Sequence, residues 1–250
     1  MIDLVIKKNI HHIFKFKPEW KNPNIIKITT GLTNDIYKIT SNNESLILKI
    51  YGNTDKIFDR KKEIETLIFL NKHNFGAKIL YMFDQGRIEE FIEGTTMTYH
   101  QMTSKLYSNK IAKMMKKLHL NTKMNHNDIH FNNIIVKPDK SIFLLDFEFS
   151  SEINIAYDIA NHFNEWMYKY ENDWYNYDKK LFPNKQQQIE FCKNYLSTNS
   201  IKDIEKLLYS VHESLIISHK FWIDWGIKTL KESDDLKKKY IQNRLLLCSN

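Results

Sequence analysis

The chain has 250 residues, 42% hydrophobic and 13% aromatic, enough to bury a full core in one large or two small domains. No apolar run approaches the roughly 18 to 20 residues that span a bilayer, so no stable membrane insertion is expected, and the opening MIDLVIKKNIHHIF is too broken by charge and histidine for a secretory signal. The net charge of +7 comes from scattered lysines, which favours a basic protein handling a polyphosphate over a nucleic-acid binder, while two cysteines, Cys192 and Cys248, form neither a disulfide framework nor a zinc set and point to a reducing cytosol.

In chain order, residues 25–30 predict a strand, Gly31-Leu32-Thr33-Asn34-Asp35 a turn, and residues 36–40 the returning strand. A glycine and small hydroxyl residues between two strands can lay backbone N–H groups over phosphates, although an ordinary hairpin reads the same way. After a polar turn, residues 45–51 (SLILKIY) predict another strand. Lys49 stands inside its apolar run, where it either faces solvent or points into a cleft as a phosphate-binding ammonium. Residues 59–73 predict a helix with Ile64, Leu67, Ile68 and Leu70 on a broad apolar face. Glu65 is placed to pair with Lys49, with Glu63 the rival on another face. Strands at 78–83 and 87–92, joined by Gln85-Gly86, complete a five-stranded small lobe. Glu90-Phe91-Ile92 then leads into Glu93-Gly94 as a hinge whose backbone can bond an adenine.

Residues 104–120 predict a helix that delivers the chain to NHNDIHFNNIIVKPDKSIFLLDFEFS at 125–150. Two β-forming runs flank a Pro138-Asp139-Lys140 turn, which is a hairpin signal. A tight hairpin brings its ends together, so Asp128, Asn133 and Asp146 can converge. Two carboxylates and an amide oxygen are hard ligands suited to Mg²⁺, and a spare carboxylate can accept a proton. The spacing D-x4-N, hairpin, D-F is that of a kinase catalytic loop and its metal-binding aspartate; a surface hairpin with turn-favouring Asp and Asn is the plain alternative. Residues 156–170 predict a helix with Ile159, Phe163, Trp166 and Tyr170 on one stripe and Asp158, His162 and Glu165 on another. The second stripe is read as one carboxylate anchoring the helix to the catalytic loop and Glu165 facing a ligand, rather than as half a metal site. Helices follow at 185–196 and from 201 onward. Trp222 and Trp225 share a helix face, either as core or as an aromatic wall for a cationic ligand.

These pieces resemble the choline and ethanolamine kinases across nearly the whole chain. The resemblance rests on GLTNDIYKI, LILKIYG, QGRIEEFI, HNDIHFNNIIV, LLDFEFSSEINIAYDIANHFNEWMYKY and SHKFWIDWG, and above all on HND-x4-N, DFE-[FY]-S and DIANHF-x-EW together. It implies an α+β, bilobal protein-kinase-like fold: a nucleotide-binding sheet lobe over 1–92 with one helix, and a mainly helical lobe over 93–250, with the hinge about 90–94. It implies ATP and Mg²⁺, a small-molecule acceptor, choline or ethanolamine, and a homodimer. By the same resemblance Asp128 is the catalytic base and Asn133 and Asp146 hold magnesium. Gly31, Thr33, Asn34, Lys49, Glu65, Glu90, Phe91 and Ile92 serve the nucleotide. Glu165, Tyr170, Trp222, Trp225 and Tyr240 build an anionic, aromatic choline site. The chain departs from the family in keeping only Gly31 in the phosphate loop and in placing Asp224 between the tryptophans. The Glu165-Trp166-Met167-Tyr168 run leading to Tyr170 favours choline over ethanolamine. A binding-only pseudokinase is disfavoured because Lys49, Asp128, Asn133 and Asp146 are all present. Aminoglycoside and other small-molecule kinases share the loop but lack DIANHF-x-EW.

Overall fold

Period-two patterning builds the first of two units in a computed structural model that describes residues 4–30, 34–52, 59–170, 177–230 and 234–248. This unit, Met1–Glu93, holds an antiparallel sheet. Its strands are β1 (Asn24–Thr30), β2 (Asn34–Ser41), β3 (Glu44–Tyr51), β4 (Ile79–Phe83) and β5 (Gly86–Glu90), in the order β1-β2-β3-β5-β4. Asn42 and Asn43, at φ 52° and 63°, form the two-residue turn that closes β2 onto β3 with Ser41 opposite Glu44. Both positions lie in the left-handed region that asparagine tolerates, and a turn of that hand matches the twist of the strands.

The register sets Tyr37 against Leu48, Ile39 against Leu46, and Leu48 against Ile88. Those side chains form one core cluster with Ile6, Ile13 and Trp20. Ile6 and Ile13 come from two short helices that the sequence reading left unassigned, α1 (Leu4–Asn9) and α2 (His11–Phe16). Helices of six residues are marginal alone, and here the buried isoleucines supply the packing. α3 (Arg60–Lys72) starts at Asp59, whose carboxylate accepts from the Lys61 and Lys62 amides, as an N-cap should.

The second unit, Gly94–Asn250, is mainly helical. Gly94 opens it at φ 145°, where a Cβ would stand 2.4 Å from the Val136 carbonyl oxygen, so a side chain is excluded on both counts. A small sheet joins β6 (Thr95–Thr96), β8 (Ile134–Val136) and β9 (Ile142–Leu144), while β7 (Met124–Asn125) pairs with β10 (Ser151–Glu152). The helices are α4 (Tyr99–Thr103), α5 (Lys105–Thr122), α6 (Ile155–Glu165), α7 (Lys185–Leu196), α8 (Ile201–Thr229) and α9 (Asp235–Cys248). α6 and α9 both pack on α8, and α5 packs on α7. Gly226 permits the close approach of α9, since a Cβ there would lie 2.7 Å from Ile241 Cγ1. Among the described residues no helix is long and apolar enough to cross a membrane.

One boundary differs from the sequence expectation. α6 stops at Glu165, five residues before the predicted end, and Tyr170 sits at φ 49° outside any helix. The last amides tighten to i−3 acceptors, Trp166 to Phe163 and Tyr168 to Glu165. The carbonyls beyond them are taken by partners distant in sequence: Tyr99 Oη donates to Trp166 O at 3.0 Å and the Asp178 amide to Met167 O at 3.0 Å. Tertiary bonding overrides the aromatic periodicity.

Candidate active site

In the first unit, Lys49 is buried, and its backbone lies between Ile36 of β2 and Arg87 of β5. Of its two predicted orientations, solvent is therefore excluded. The acid that α3 turns toward the sheet is Glu63, and the expectation for Glu65 is corrected. Glu63 Oε1 accepts from Arg87 Nη1 at 3.0 Å and Oε2 from Arg60. Glu65 is 65% exposed and lies 3.9 Å from Lys61 Nζ. Residues two positions apart on a helix differ by about 200° of rotation, so Glu63 and Glu65 cannot both face inward. Glu63→Ala is expected to lower stability by about 3 kcal/mol, because Arg87 loses a buried partner while keeping Glu89. Glu65→Ala should stay within about 0.5 kcal/mol. Urea unfolding of the two variants compares them directly, and equal midpoints would contradict the assignment.

Asn34 opens β2 and is buried, whereas Gly31 and Thr33 lie outside the described residues. Glu90 closes β5: its amide donates to Lys78 O at 3.0 Å and its Oε1 accepts from Lys78 N at 2.9 Å. Phe91 and Ile92 follow it beyond the strand pairing, with Lys38 Nζ 4.0 Å from the Phe91 ring centroid.

In the second unit the hairpin behaves as its spacing predicts. Ile134 pairs with Leu144, and the next bond outward runs from Leu145 N to Asn133 O at 2.8 Å. Asp146 is therefore the residue after Asn133's own partner, held at φ 61°. Asn133 Nδ2 donates to Asp128 O at 2.9 Å and to Asp128 Oδ2 at 2.8 Å. His126 closes the ring of contacts. Burial lowers its pKa and keeps it neutral, so Nε2–H donates to Leu145 O at 2.9 Å and Nδ1 accepts from the Asp128 amide at 3.3 Å. Burial also raises the Asp128 carboxyl, opposed by His130 Nε2 at 3.6 Å. A carboxylate of raised pKa is a better proton acceptor near neutrality.

α6 pins this loop from behind. Asp158 Oδ1 accepts from the Asn127 amide at 2.7 Å, and Oδ2 accepts from the His126 amide at 3.0 Å and His119 Nε2 at 2.9 Å. Burial favours the neutral acid, but the His119 bond and these amides outweigh it and lower the pKa. Asn161 Nδ2 donates to Asn127 O, and His162 Nδ1 to Ile129 O, each at 2.8 Å. Burial lowers His162 to about 4, and its neutral Nε2 accepts from Trp166 Nε1 at 3.3 Å. Both His162 nitrogens are engaged, and the described residues contain no His, Cys, Asp and Glu cluster fit for a metal. The one-helix D-x2-N-H pattern thus fixes residues 126–129, with Asn127 held at φ 66°, in the left-handed region that asparagine tolerates.

The residues that the sequence reading assigned to the acceptor also meet. Tyr170 lies 5.0 Å from His130 between ring centroids, and its hydroxyl donates to Glu165 Oε2. Trp222 and Trp225 are 5.6 Å apart, and Tyr240 is 6.3 Å from Trp225. Trp222 Nε1 donates to Asn161 Oδ1 at 2.7 Å, which ties this wall to the catalytic loop. Asp224 points to solvent, so the departure between the tryptophans leaves the wall intact. One expectation is corrected: Glu165 does not face an open ligand site. Arg244 of α9 is fully buried, and its Nη2 donates to Glu165 Oε1 at 2.6 Å. The guanidinium carbon lies 4.7 Å from the Tyr168 ring centroid, 4.8 Å from Tyr240 and 5.7 Å from Trp222. The sequence reading missed Arg244 and named Tyr168 only as part of the run that leads to Tyr170. The available signal was Tyr240 and Arg244 at i, i+4, together with the need of any buried Glu165 for a counter-charge.

The donor set also fits a hard cation. Asn133 directs both nitrogen hydrogens at Asp128, which leaves Oδ1 as its free amide oxygen. With the Asp146 carboxylate this makes the sparse oxygen set typical of Mg²⁺ bound jointly with phosphates.

A profile described as choline/ethanolamine kinase matches residues 25–124 and 121–246. "Probable choline kinase 1" of Arabidopsis thaliana is 26% identical over 272 residues, covering 81% of this chain and 79% of that protein. "Probable ethanolamine kinase" of Nematostella vectensis is 27% identical over 296 residues, covering 86% and 83%. A solved Plasmodium vivax ethanolamine kinase superposes with a TM-score of 0.85 at 22% identity, covering 98% of this chain and 88% of that one.

Proposed function

The chain belongs to the choline/ethanolamine kinase family, with its bilobal α+β fold, and on that premise we propose that it transfers the γ-phosphoryl group of ATP to the hydroxyl of choline. The product is phosphocholine, the first intermediate of the CDP-choline route to phosphatidylcholine. The observation that carries the reading is Asp128, fixed by Asn133 and the α6 anchor beside a set of rings. A base alone suits many kinases; rings beside it suit an acceptor with a permanent positive charge.

The proposed mechanism is mostly positioning and charge neutralisation. Asp128 aligns the acceptor hydroxyl and takes its proton as the new O–P bond forms and the bond between the γ-phosphorus and the β–γ bridging oxygen breaks, with ADP as the leaving group. Lys49 neutralises nucleotide phosphate charge, and residues 90–92 serve the adenine. Asn133 and Asp146 would hold Mg²⁺, which would supply charge compensation at the phosphates. The wall of Tyr170, Trp222, Trp225 and Tyr240 holds the ammonium end and turns the hydroxyl toward Asp128. The cytosol is the proposed home, a reducing compartment in which Cys192 and Cys248 remain the free thiols they are here.

Removing one ring tests the acceptor half. Trp222→Ala and Trp225→Ala are expected to raise the choline KM about tenfold or more, a cation–π contact being worth up to ~2 kcal/mol when desolvated, with the ATP KM unchanged. An unchanged choline KM in both variants would make the rings plain core. Ethanolamine is the second reading, favoured by the relatives named for it.

A further inference from the structure

Glu165 is the carboxylate that the acceptor reading offers to the substrate ammonium, yet both its oxygens already have intrachain donors. Arg244 Nη2 holds Oε1 at 2.6 Å, and the Tyr170 hydroxyl holds Oε2. Arg244 is itself locked. Its Nη1 faces His219 Nδ1 at 3.3 Å, and rings of Tyr168, Tyr240 and Trp222 surround the guanidinium. Burial and Arg244 together push His219 down to about 3, so it stays a neutral acceptor for Nη1. The buried Glu165–Arg244 pair also carries no net charge, so an incoming cation meets ring faces rather than an open carboxylate.

The polar atoms left over around this pair are mostly donors. Trp225 Nε1, Arg244 Nε and the Tyr168 hydroxyl are buried without a hydrogen-bond partner among the described residues. The first two can only donate. Burial pushes the Tyr168 hydroxyl up to about 12, so it stays a neutral phenol and is the one weak acceptor of the three. A primary ammonium brings N–H groups that must be accepted when they leave water, and each one left unmet carries a desolvation penalty. A quaternary ammonium brings none and asks only for ring faces.

We propose that Arg244 is a specificity-setting, positioning residue of the acceptor site: by engaging Glu165 together with Tyr170, it withholds the carboxylate from N–H donors and makes the site select a quaternary over a primary ammonium alcohol. The inference rests on the acceptor reading above and names the feature of this chain that decides between its two substrates. Arg244 touches neither reacting atom. It acts through Glu165 and the rings it orders.

The test is the ratio of kcat/KM for choline to that for ethanolamine, with the KM for ATP as the check on fold. The wild-type chain should favour choline by about tenfold or more. Arg244→Met frees Oε1 and Tyr170→Phe frees Oε2 while keeping its ring. Each should lower the ratio about tenfold, the value of one hydrogen bond to a charged group, with the ATP KM unmoved. Arg244→Lys keeps a donor on Glu165 and should hold the ratio near wild type, a rescue that a merely structural role would not produce. Arg244→Met leaves a buried carboxylate uncompensated. If it fails to fold, Tyr170→Phe decides alone, because the ion pair survives in it. A wild-type preference for ethanolamine overturns the proposal while leaving the kinase reading standing, and so does an unmoved ratio in the folded variants. Phosphorylation of neither alcohol removes the acceptor reading itself and this inference with it.

Discussion

Asp128→Ala is expected to lower kcat by a factor on the order of 10³ or more, within the upper part of the range for loss of a general base. Two losses add. The proton acceptor disappears, and Asn133 Nδ2 loses the carboxylate oxygen it holds at 2.8 Å and keeps only the Asp128 carbonyl oxygen at 2.9 Å, so the residue proposed to hold magnesium is less firmly set. Asp128→Asn separates them: the amide keeps much of the geometry but cannot take a proton at neutral pH. Steady-state kinetics on both variants should show a severe fall in kcat with the ATP KM little changed. Near-normal turnover in either would remove Asp128 from the mechanism.

The second large effect belongs to a residue that never meets substrate. Asp158→Ala should lower stability by about 3 to 5 kcal/mol, the usual result of deleting one partner from a buried charged network. It strands three donors at once, the amides of His126 and Asn127 and the Nε2–H of His119. Those amides hold the backbone that leads into Asn127, at φ 66° next to Asp128. Turnover should therefore fall in any fraction that stays folded. Urea unfolding followed by kinetics at low denaturant checks both parts. A variant as stable as wild type would show that the loop keeps its shape without the anchor.

The anchoring role of Asp158 was legible because helix spacing places Asp158, His162 and Glu165 on one face, and a conserved geometry was not needed to see that they must serve something inside. The sheet was legible for a similar reason: β-forming runs such as SLILKIY can bury only alternate side chains, and the turn residues between them leave one economical pairing. What escaped was set by partners distant in sequence. Whether Glu63 or Glu65 faces inward depends on the phase of α3 against the sheet. The apolar run Ile64, Leu67, Ile68, Leu70 is too broad to set that phase, and in fact Ile68 is exposed while Leu67 and Leu70 are buried. The early end of α6 follows from the Tyr99 hydroxyl reaching Trp166 O across 67 positions. Arg244 reaches Glu165 across 79 positions. No local pattern announces such pairs. α1 and α2 escaped because six-residue helices carry too little periodicity of their own, and their helical state depends on Ile6 and Ile13 docking in the sheet's core.

The group of rings proposed for the acceptor sharpens the sequence reading. Trp222, Trp225, Tyr240 and Tyr170 were singled out for their rings; Trp222, Trp225 and Tyr240 lie ring to ring, Trp222 is bonded to Asn161, which holds Asn127 O, and Tyr170 lies against His130. Glu165 was singled out for its charge, and that charge turns out to be answered from within the chain. The rings, rather than the carboxylate, then carry the proposed recognition of the ammonium.

The central claim is that this chain phosphorylates a small ammonium alcohol at a site based on Asp128. A coupled ADP-release assay, run with choline, with ethanolamine and with no acceptor, addresses it most directly. Choline should accelerate ADP release far above the acceptor-free rate, ethanolamine should do so more weakly, and Asp128→Ala should return both to background. Equal ADP release with and without either alcohol would contradict the account.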